Sequence, residues 1–379
     1  MKYDVCVIGG GPAGVNAALC AAKVGFKTAL IEKAQLGGTC LNYGCVPTKM
    51  LYEAAIRHRS MRTADKFGLP NSSAKFNWNI WQTNTHELIK KLRIAIKFQL
   101  KSAHIDCFFH NAEFVSEHQI QLTDNTKIDS TYFIVAAGAV SNQHSTAISI
   151  ADFWNMPELP AKIFIMGGGV SGCELASILA ELEFDVTLYE KNAHLLSGWD
   201  SDLVDFAEKS LQSQGVKIIT NSMFKPTGFC LNASGRTPEI KKIPVSPNII
   251  VIGDASGGVQ SAIRAEVEAE DAINQLKNRI AIPARTYPQA VFMLPELAMF
   301  GLTEEACSNS GQSIKIVRKY FAGNVRAMIN GETSGFIKNI YGNNGQLLGQ
   351  HIAGSQAADL IQIAAKIPLH PTLGEALLK

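Results

Sequence analysis

The chain has 379 residues, 46% of them hydrophobic, with 31 glycines, which suits an α/β protein of two or three domains with ample core. A formal net charge of +2 gives no case for nucleic acid or a membrane surface as a partner. No apolar run approaches the ~20 residues of a spanning helix, and the first residues enter a strand pattern with no signal-like region, so a cytoplasmic location is expected.

The first predicted strand, Tyr3 to Ile8, runs into Gly9-Gly10-Gly11-Pro12-Ala13-Gly14. A helix is predicted from about Val15 to Val24, then a strand from Lys27 to Ile31 ending in Glu32, 18 residues after Gly14. This is a βαβ unit with G-x-G-x-x-G at Gly9, Gly11 and Gly14. Its glycines allow a tight turn, close approach of a pyrophosphate and helix–strand packing, and its acid is placed for ribose hydroxyls.

Next comes Gly37-Gly38-Thr39-Cys40-Leu41-Asn42-Tyr43-Gly44-Cys45-Val46-Pro47-Thr48-Lys49, with a helical run predicted from Lys49 to about Arg62. Pro47 suits a first helical turn. Cys45 therefore stands at a helix N-terminus, where the dipole and Lys49 favour the thiolate, and Cys40 is expected in the preceding loop. A zinc site would want further Cys or His ligands at suitable spacing, and none stands nearby. A structural disulfide is improbable inside the cell, and a redox-active pair next to a flavin accounts for both the activated thiol and the neighbouring fingerprint. Cys6, Cys20 and Cys173 read as small core residues. The run from Asn84 to Ala103 reads as a helix with a solvated basic face, and Trp78 and Trp81 as packing residues.

The βαβ pattern then recurs. A strand from Lys162 to Met166 meets Gly167-Gly168-Gly169-Val170-Ser171-Gly172, a helix runs to about Leu182, and a strand from Asp185 to Tyr189 ends in Glu190. The fingerprint glycines are Gly167, Gly169 and Gly172. A carboxylate at Glu190 accepts from a free 2′-hydroxyl and repels a 2′-phosphate, which favours NAD over NADP. Further on, Ile249 to Asp254 is an apolar strand presenting an acid at its carboxyl end, where open α/β sheets bind ligands.

The segment from Gly37 to Lys49 closely resembles the active-site segment of the class I pyridine nucleotide–disulfide oxidoreductases, and the resemblance extends over almost the whole chain. Ala136-Ala137-Gly138 resembles the loop closing the first FAD half, Asn232 to Pro238 the segment ending the NAD domain, and Ile249 to Asp254 the second FAD motif. Tyr287 to Thr303 resembles the start of the dimerisation domain, and His370-Pro371-Thr372-Leu373-Gly374-Glu375 the family's acid–base segment.

The resemblance implies two Rossmann-like dinucleotide-binding domains plus an α+β C-terminal dimerisation domain. Residues 1–145 and 239–283 would form the FAD-binding domain, 146–238 an abridged NAD-binding domain and 284–379 the dimerisation domain. It implies FAD and NAD as cofactors, with no metal, and FAD contacts at Pro12, Ala13, Lys33, Gly38, Thr39, Ala112, Ala137, Gly138, Gly253, Asp254 and Ala262 besides the first fingerprint and Glu32. Gly235 would join the second fingerprint and Glu190 at NAD.

For catalysis it implies Cys40 as the interchange thiol, Cys45 against the flavin, and Lys49 with Glu174 as an ion pair near flavin N5. His370 would be the acid–base catalyst, oriented by Glu375 and reaching the partner's active site in a homodimer. The motifs resemble dihydrolipoamide dehydrogenase most, with a small dithiol or disulfide substrate and a lipoyl domain as a further partner. Val46-Pro47-Thr48-Lys49 leans instead towards the mycothione or mercuric reductases. A reductase of another small disulfide or of mercuric ion, and a non-catalytic flavin-binding paralogue, are the alternatives. The chain is shorter than the family norm, most visibly between Thr220 and Leu231 and just before His370. A cut inside a sheet would leave unpaired edges.

Overall fold

Apolar strands that alternate with helices can bury both faces of a parallel sheet. That arrangement is present in the computed structural model, which describes residues 1–72, 74–144, 146–222, 228–239, 243–278, 285–367 and 370–372. The chain begins β1 (Lys2–Ile8), α1 (Pro12–Lys23), β2 (Thr28–Ile31), α2 (Gly38–Asn42), α3 (Cys45–Arg62) and α4 (Trp78–Ser102). It continues through β3 (Asp106–Phe108), β4 (Ala112–Ser116), β5 (Gln119–Leu122), β6 (Lys127–Val135), β7 (Ala139–Ser141), β8 (Ile148–Ser149) and α5 (Ile150–Phe153). Then come β9 (Lys162–Met166), α6 (Val170–Glu181), β10 (Asp185–Tyr189), α7 (Ser201–Ser213), β11 (Lys217–Ile219), β12 (Cys230–Asn232), β13 (Arg236–Pro238), β14 (Ile249–Val251) and α8 (Ala262–Asn278). The last elements are β15 (Gln289–Val291), β16 (Leu297–Gly301), α9 (Glu304–Asn309), β17 (Ile314–Tyr320), α10 (Val325–Asn330), β18 (Phe336–Gly342), β19 (Leu347–Ala353) and α11 (Ala357–Ala365). Among the described residues no helix is long and apolar enough to cross a membrane.

The chain divides into two units. The first comprises Met1–Pro47, Thr83–Ser141 and Arg236–Arg285. Its sheet has the order β3-β2-β1-β6-β5-β4, with β14 also on β6. β5 pairs with one end of β6 at Lys127–Asp129, and β14 runs parallel to the other end at Phe133–Val135. Ile8, Ile31, Val135 and Val251 therefore finish along one edge of the sheet. One face buries Val5, Val7, Leu30 and Ile134 against Ala17, Ala18 and Ala21 of α1 and Ala269, Ala272 and Ile273 of α8. The alanines among them let both helices approach the sheet closely. The second cluster holds Cys6, Ile31, Ile120 and Phe133. Burial pushes the Cys6 thiol well above its ordinary range, as suits a core residue.

The second unit comprises Thr48–Gln82, Asn142–Gly235 and Thr286–Lys379. It holds a parallel sheet of order β11-β10-β9-β12-β8 and an antiparallel sheet of order β15-β16-β19-β18-β17. The compressed stretch near residue 220 leaves no gap in the parallel sheet. β12 pairs directly with β9 on one side and β8 on the other, so neither strand loses its neighbour. Among the described residues the parallel sheet is therefore continuous from β11 to β8. Trp78 and Trp81 stack at 4.7 Å, and Trp78 meets Phe153 while Trp81 meets Trp154, so both are packing residues as expected.

Candidate nucleotide sites and cysteine pair

The first fingerprint is closed by its own carboxylate. Glu32 is buried and accepts from the main-chain N–H of Gly10 at 2.6 Å and of Ala34 at 2.7 Å. The loop is thereby tied to the end of β2, and each oxygen keeps a lone pair for a hydroxyl. Gly9 has φ +112°, and a side chain there would overlap the Ala136 carbonyl, so the loop lies directly on Ala136-Ala137-Gly138. A side chain at Gly14 would overlap the Gly9 carbonyl. α1 starts at Gly11 with no side chain capping it, leaving its first N–H groups for an anion. Gly38 lies against Gly11, and Gly253 against Ala13. The structure thus gathers Gly9, Gly11, Pro12, Ala13, Gly14, Gly38, Ala137 and Gly253 at one sheet edge.

The second fingerprint repeats this joint. Glu190 accepts from Gly168 N–H at 2.7 Å and Asn192 N–H at 2.8 Å. Gly167 has φ +106° and lies on Ala233, which places Asn232 to Gly235 against the loop. α6 begins at Gly169, again without a side-chain cap.

Cys40 sits in the short helix α2 and not in a loop. Asn42 fixes that helix by donating to the carbonyls of Leu36 at 3.1 Å and Gly38 at 2.8 Å. α3 begins at Cys45 itself, four residues before the predicted start, because the whole Cys45-Val46-Pro47-Thr48 stretch forms its first turn. The Cys40 and Cys45 sulfurs lie within 4.8 Å of each other. One turn along α3 from Cys45, the Lys49 ammonium is 3.0 Å from Glu174 Oε1 on α6. Glu174 also accepts from the main-chain N–H of Phe292 at 3.0 Å.

Other expected contacts are held in place by neighbours. Asp254 ends the strand–turn after β14, where Arg236 Nη2 donates to its Oδ2 at 2.7 Å; Gln260 in turn bonds the Arg236 guanidinium and carbonyl. The Lys33 ammonium pairs with Glu239 at 2.6 Å, next to the Glu239 N–H that donates to Gly138 O. Thr39 lies in α2, Ala262 opens α8, and Ala112 opens β4 and packs against the core cluster that holds Cys6 and Phe133. His370 is half-buried, and Gln362 of α11 donates to Thr372 two residues on, at 2.9 Å. Glu375, expected to orient His370, lies outside the described residues. Sequence reasoning gave no role to Arg236 or Phe292. The first was visible as a motif residue without a known partner; the second works through a main-chain N–H, which no residue pattern reports.

The family model described as pyridine nucleotide-disulphide oxidoreductase matches residues 3–229. The chain belongs to this family. Its dimerisation-domain model matches residues 287–367 of this oxidoreductase. The chain is 29% identical to a dihydrolipoyl dehydrogenase of Bacillus subtilis (strain 168), over 98% of this chain and 96% of the relative. It is 26% identical to a dihydrolipoyl dehydrogenase of Zymomonas mobilis, over 99% of this chain and 96% of the relative. The B. subtilis alignment is 442 residues long against the 379 of this oxidoreductase, so the relative carries residues with no counterpart here. Among solved structures, the HOCl-induced flavoprotein disulfide reductase RclA from Escherichia coli aligns with a TM-score of 0.83 at 26% identity, covering 99% of this chain and 98% of that one. A Cu(II) complex of RclA aligns with a TM-score of 0.84.

Oxidoreductases of this family take FAD and NAD(H). Two uncapped helix starts, each facing a glycine loop whose first and third fingerprint glycines leave no room for a side chain and each flanked by a fixed carboxylate, fit two dinucleotides. The sites can be separated by mutation. Gly14→Ala is expected to yield protein with little bound flavin. Gly172→Ala, whose new methyl would overlap the Gly167 carbonyl, should keep its flavin and raise the KM for NADH by about tenfold or more. Flavin absorbance per chain and NADH-oxidation kinetics measure the two effects.

Proposed function

We propose that this disulfide oxidoreductase acts as a dihydrolipoamide dehydrogenase, working as a homodimer. The observation that carries this reading is the cysteine pair, two sulfurs within 4.8 Å with Cys45 opening a helix. The names of the curated relatives and the His370 motif favour lipoamide as the substrate. His370 removes a proton from one thiol of dihydrolipoamide. The thiolate attacks Cys40 Sγ, the Cys40–Cys45 bond breaks, and Cys45 leaves as a thiolate stabilised at the start of α3. The second substrate thiol then displaces Cys40, which releases lipoamide and leaves both cysteines reduced. Bound FAD supplies the acceptor for this electron pair, and NAD⁺ is its final destination. Lys49 and Glu174 hold a fixed charge pair beside the flavin, Glu32 and the first fingerprint bind FAD, and Glu190 selects the free 2′-hydroxyl of NAD.

A second reading is a reductase of another acceptor. Val46-Pro47-Thr48-Lys49 and the likeness to RclA favour it. One assay panel decides: NADH-dependent reduction of lipoamide beside glutathione disulfide, mercuric ion and, because RclA is known as a Cu(II) complex, cupric ion. Lipoamide should turn over at least about tenfold faster than the others, since a site built for one disulfide rejects poor matches by this factor or more. Turnover of another acceptor with none of lipoamide overturns the leading reading. Anaerobic NADH titration of the same protein should raise a long-wavelength charge-transfer band; its absence would favour a non-catalytic flavoprotein.

A further inference from the structure

The Lys49–Glu174 pair has a third member. The Lys49 ammonium stands 4.1 Å from the centroid of the Phe292 ring, while the Phe292 main-chain N–H donates to the same Glu174 oxygen that Lys49 meets. One residue thus touches the cation through its π face and the anion through its backbone.

Phe292 is itself held in place by its neighbours. It is buried, and the Tyr52 ring meets it edge-on at 5.8 Å and 84°. The Tyr52 hydroxyl donates to Glu296 Oε1 at 2.7 Å, and Glu296 Oε2 accepts from the Ala358 N–H in the first turn of α11 at 2.9 Å. Two residues after Phe292, the Leu294 N–H donates to the Ser177 hydroxyl of α6 at 2.9 Å. The strand end carrying Phe292 is thereby fastened to the helix carrying Glu174.

A lysine stem carries much rotamer freedom, and a single ion pair constrains it weakly. The ring face attracts an ammonium only where it lies over the ring, and an edge-on neighbour opposes rotation of that ring. Together they restrict the Lys49 charge to one place.

We propose that Phe292 is a positioning residue that fixes the charge of Lys49 for the flavin, with Tyr52 and Glu296 as its support. The inference rests on the reading of Lys49 and Glu174 as the flavin-side pair. It extends that pair to a residue that carries no charge.

The test uses the flavin-loaded full chain with Phe292→Leu, Phe292→Tyr and Lys49→Met. The flavin midpoint potential, the charge-transfer band on NADH titration and the thermal unfolding midpoint are measured for each. Lys49→Met should lower the potential, because a positive charge that stabilises reduced flavin is gone. Phe292→Leu should lower it in the same direction by a smaller amount and slow flavin reduction about fivefold, the factor carried by a cation–π contact of ordinary strength. Phe292→Tyr, which keeps the ring face, should restore both. If Phe292→Leu fails to retain flavin, Phe292→Met carries the same comparison. A shift in Lys49→Met with none in a folded Phe292→Leu overturns the positioning role. No shift in Lys49→Met removes the placement of Lys49 beside the flavin and this inference with it.

Discussion

Cys40→Ser should lose disulfide turnover by at least about a thousandfold while keeping its flavin and its thiolate–flavin band. A serine hydroxyl at this position cannot accept a thiolate to form a mixed disulfide, so substrate exchange stops at its first bond. Cys45 retains its place at the start of α3, and Asn42 still ties α2 to Leu36 and Gly38, so the surroundings are unchanged. NADH should still reduce the flavin in this variant, which stopped-flow absorbance can follow separately from lipoamide turnover. Loss of FAD instead of turnover would mean that Cys40 is a structural support, and the roles of the two cysteines would have to be redrawn.

A second large effect is expected far from any cysteine. The Lys338 side chain is fully buried in β18 and lies 2.8 Å from Asp200, 2.9 Å from Asp202 and 2.8 Å from Glu304. Arg318 joins at 2.6 Å from Asp202, and His351 Nδ1 lies 3.2 Å from Asp200, without the alignment of a good hydrogen bond. Burial alone would raise the Asp200 carboxyl; contact with His351 and Lys338 outweighs it and holds Asp200 well below the usual carboxylate range. Lys338→Met leaves the buried Asp200 carboxylate without its ammonium partner and should cost about 3–5 kcal/mol, read as a lowered thermal unfolding midpoint. Adding Asp200→Asn to Lys338→Met should cost less than the two changes summed, because the stranded charge goes with its partner. Because the Asp200 carboxyl is depressed in the fold, its contribution is fully present above the ordinary Asp pKa of about 3.9 and fades as pH falls through the lower, folded value. The gap between wild type and Lys338→Met should therefore narrow in strong acid. An unchanged midpoint at neutral pH would show that water or a rearranged side chain replaces Lys338 without cost.

These two predictions differ in how far the sequence leads to them. Cys40 and Cys45 are five residues apart, and a loop, a proline and a helix pattern place them without any distant contact. The fingerprints are equally local, and β9 and β10 have the bounds that their apolar runs suggest. The sequence pattern puts Cys40 in a loop because a five-residue helix is too short for periodicity to reveal. Lys338 shows the opposite limit. It shares a face of β18 with Phe336 and Ile340, so strand periodicity alone puts an ammonium on the buried face. Its compensating acids come from the start of α7 and from α9, more than thirty residues away, and nothing local announces them. Phe292 was unreadable for another reason. Its value lies in a backbone N–H and the face of a ring, and both are shared by any phenylalanine that ends a strand.

The twin joints formed by Glu32 and Glu190 bear on the kinetics of cofactor uptake. Both carboxylates bond to N–H groups of their own chain, so the glycine loops take their shape when the protein folds. The conformational entropy of ordering those loops is lost at that stage and not when a nucleotide arrives. On the proposed assignment of the second fingerprint to NADH, a nucleotide that docks and leaves at every turnover would meet a loop already in shape. On the proposed assignment of the first fingerprint to FAD, the same joint would serve a tenant of the opposite habit, one that stays through many cycles. What separates a resident from a visitor is then the additional surface each gains beyond the loop, where Gly38 and Gly253 close over the first fingerprint.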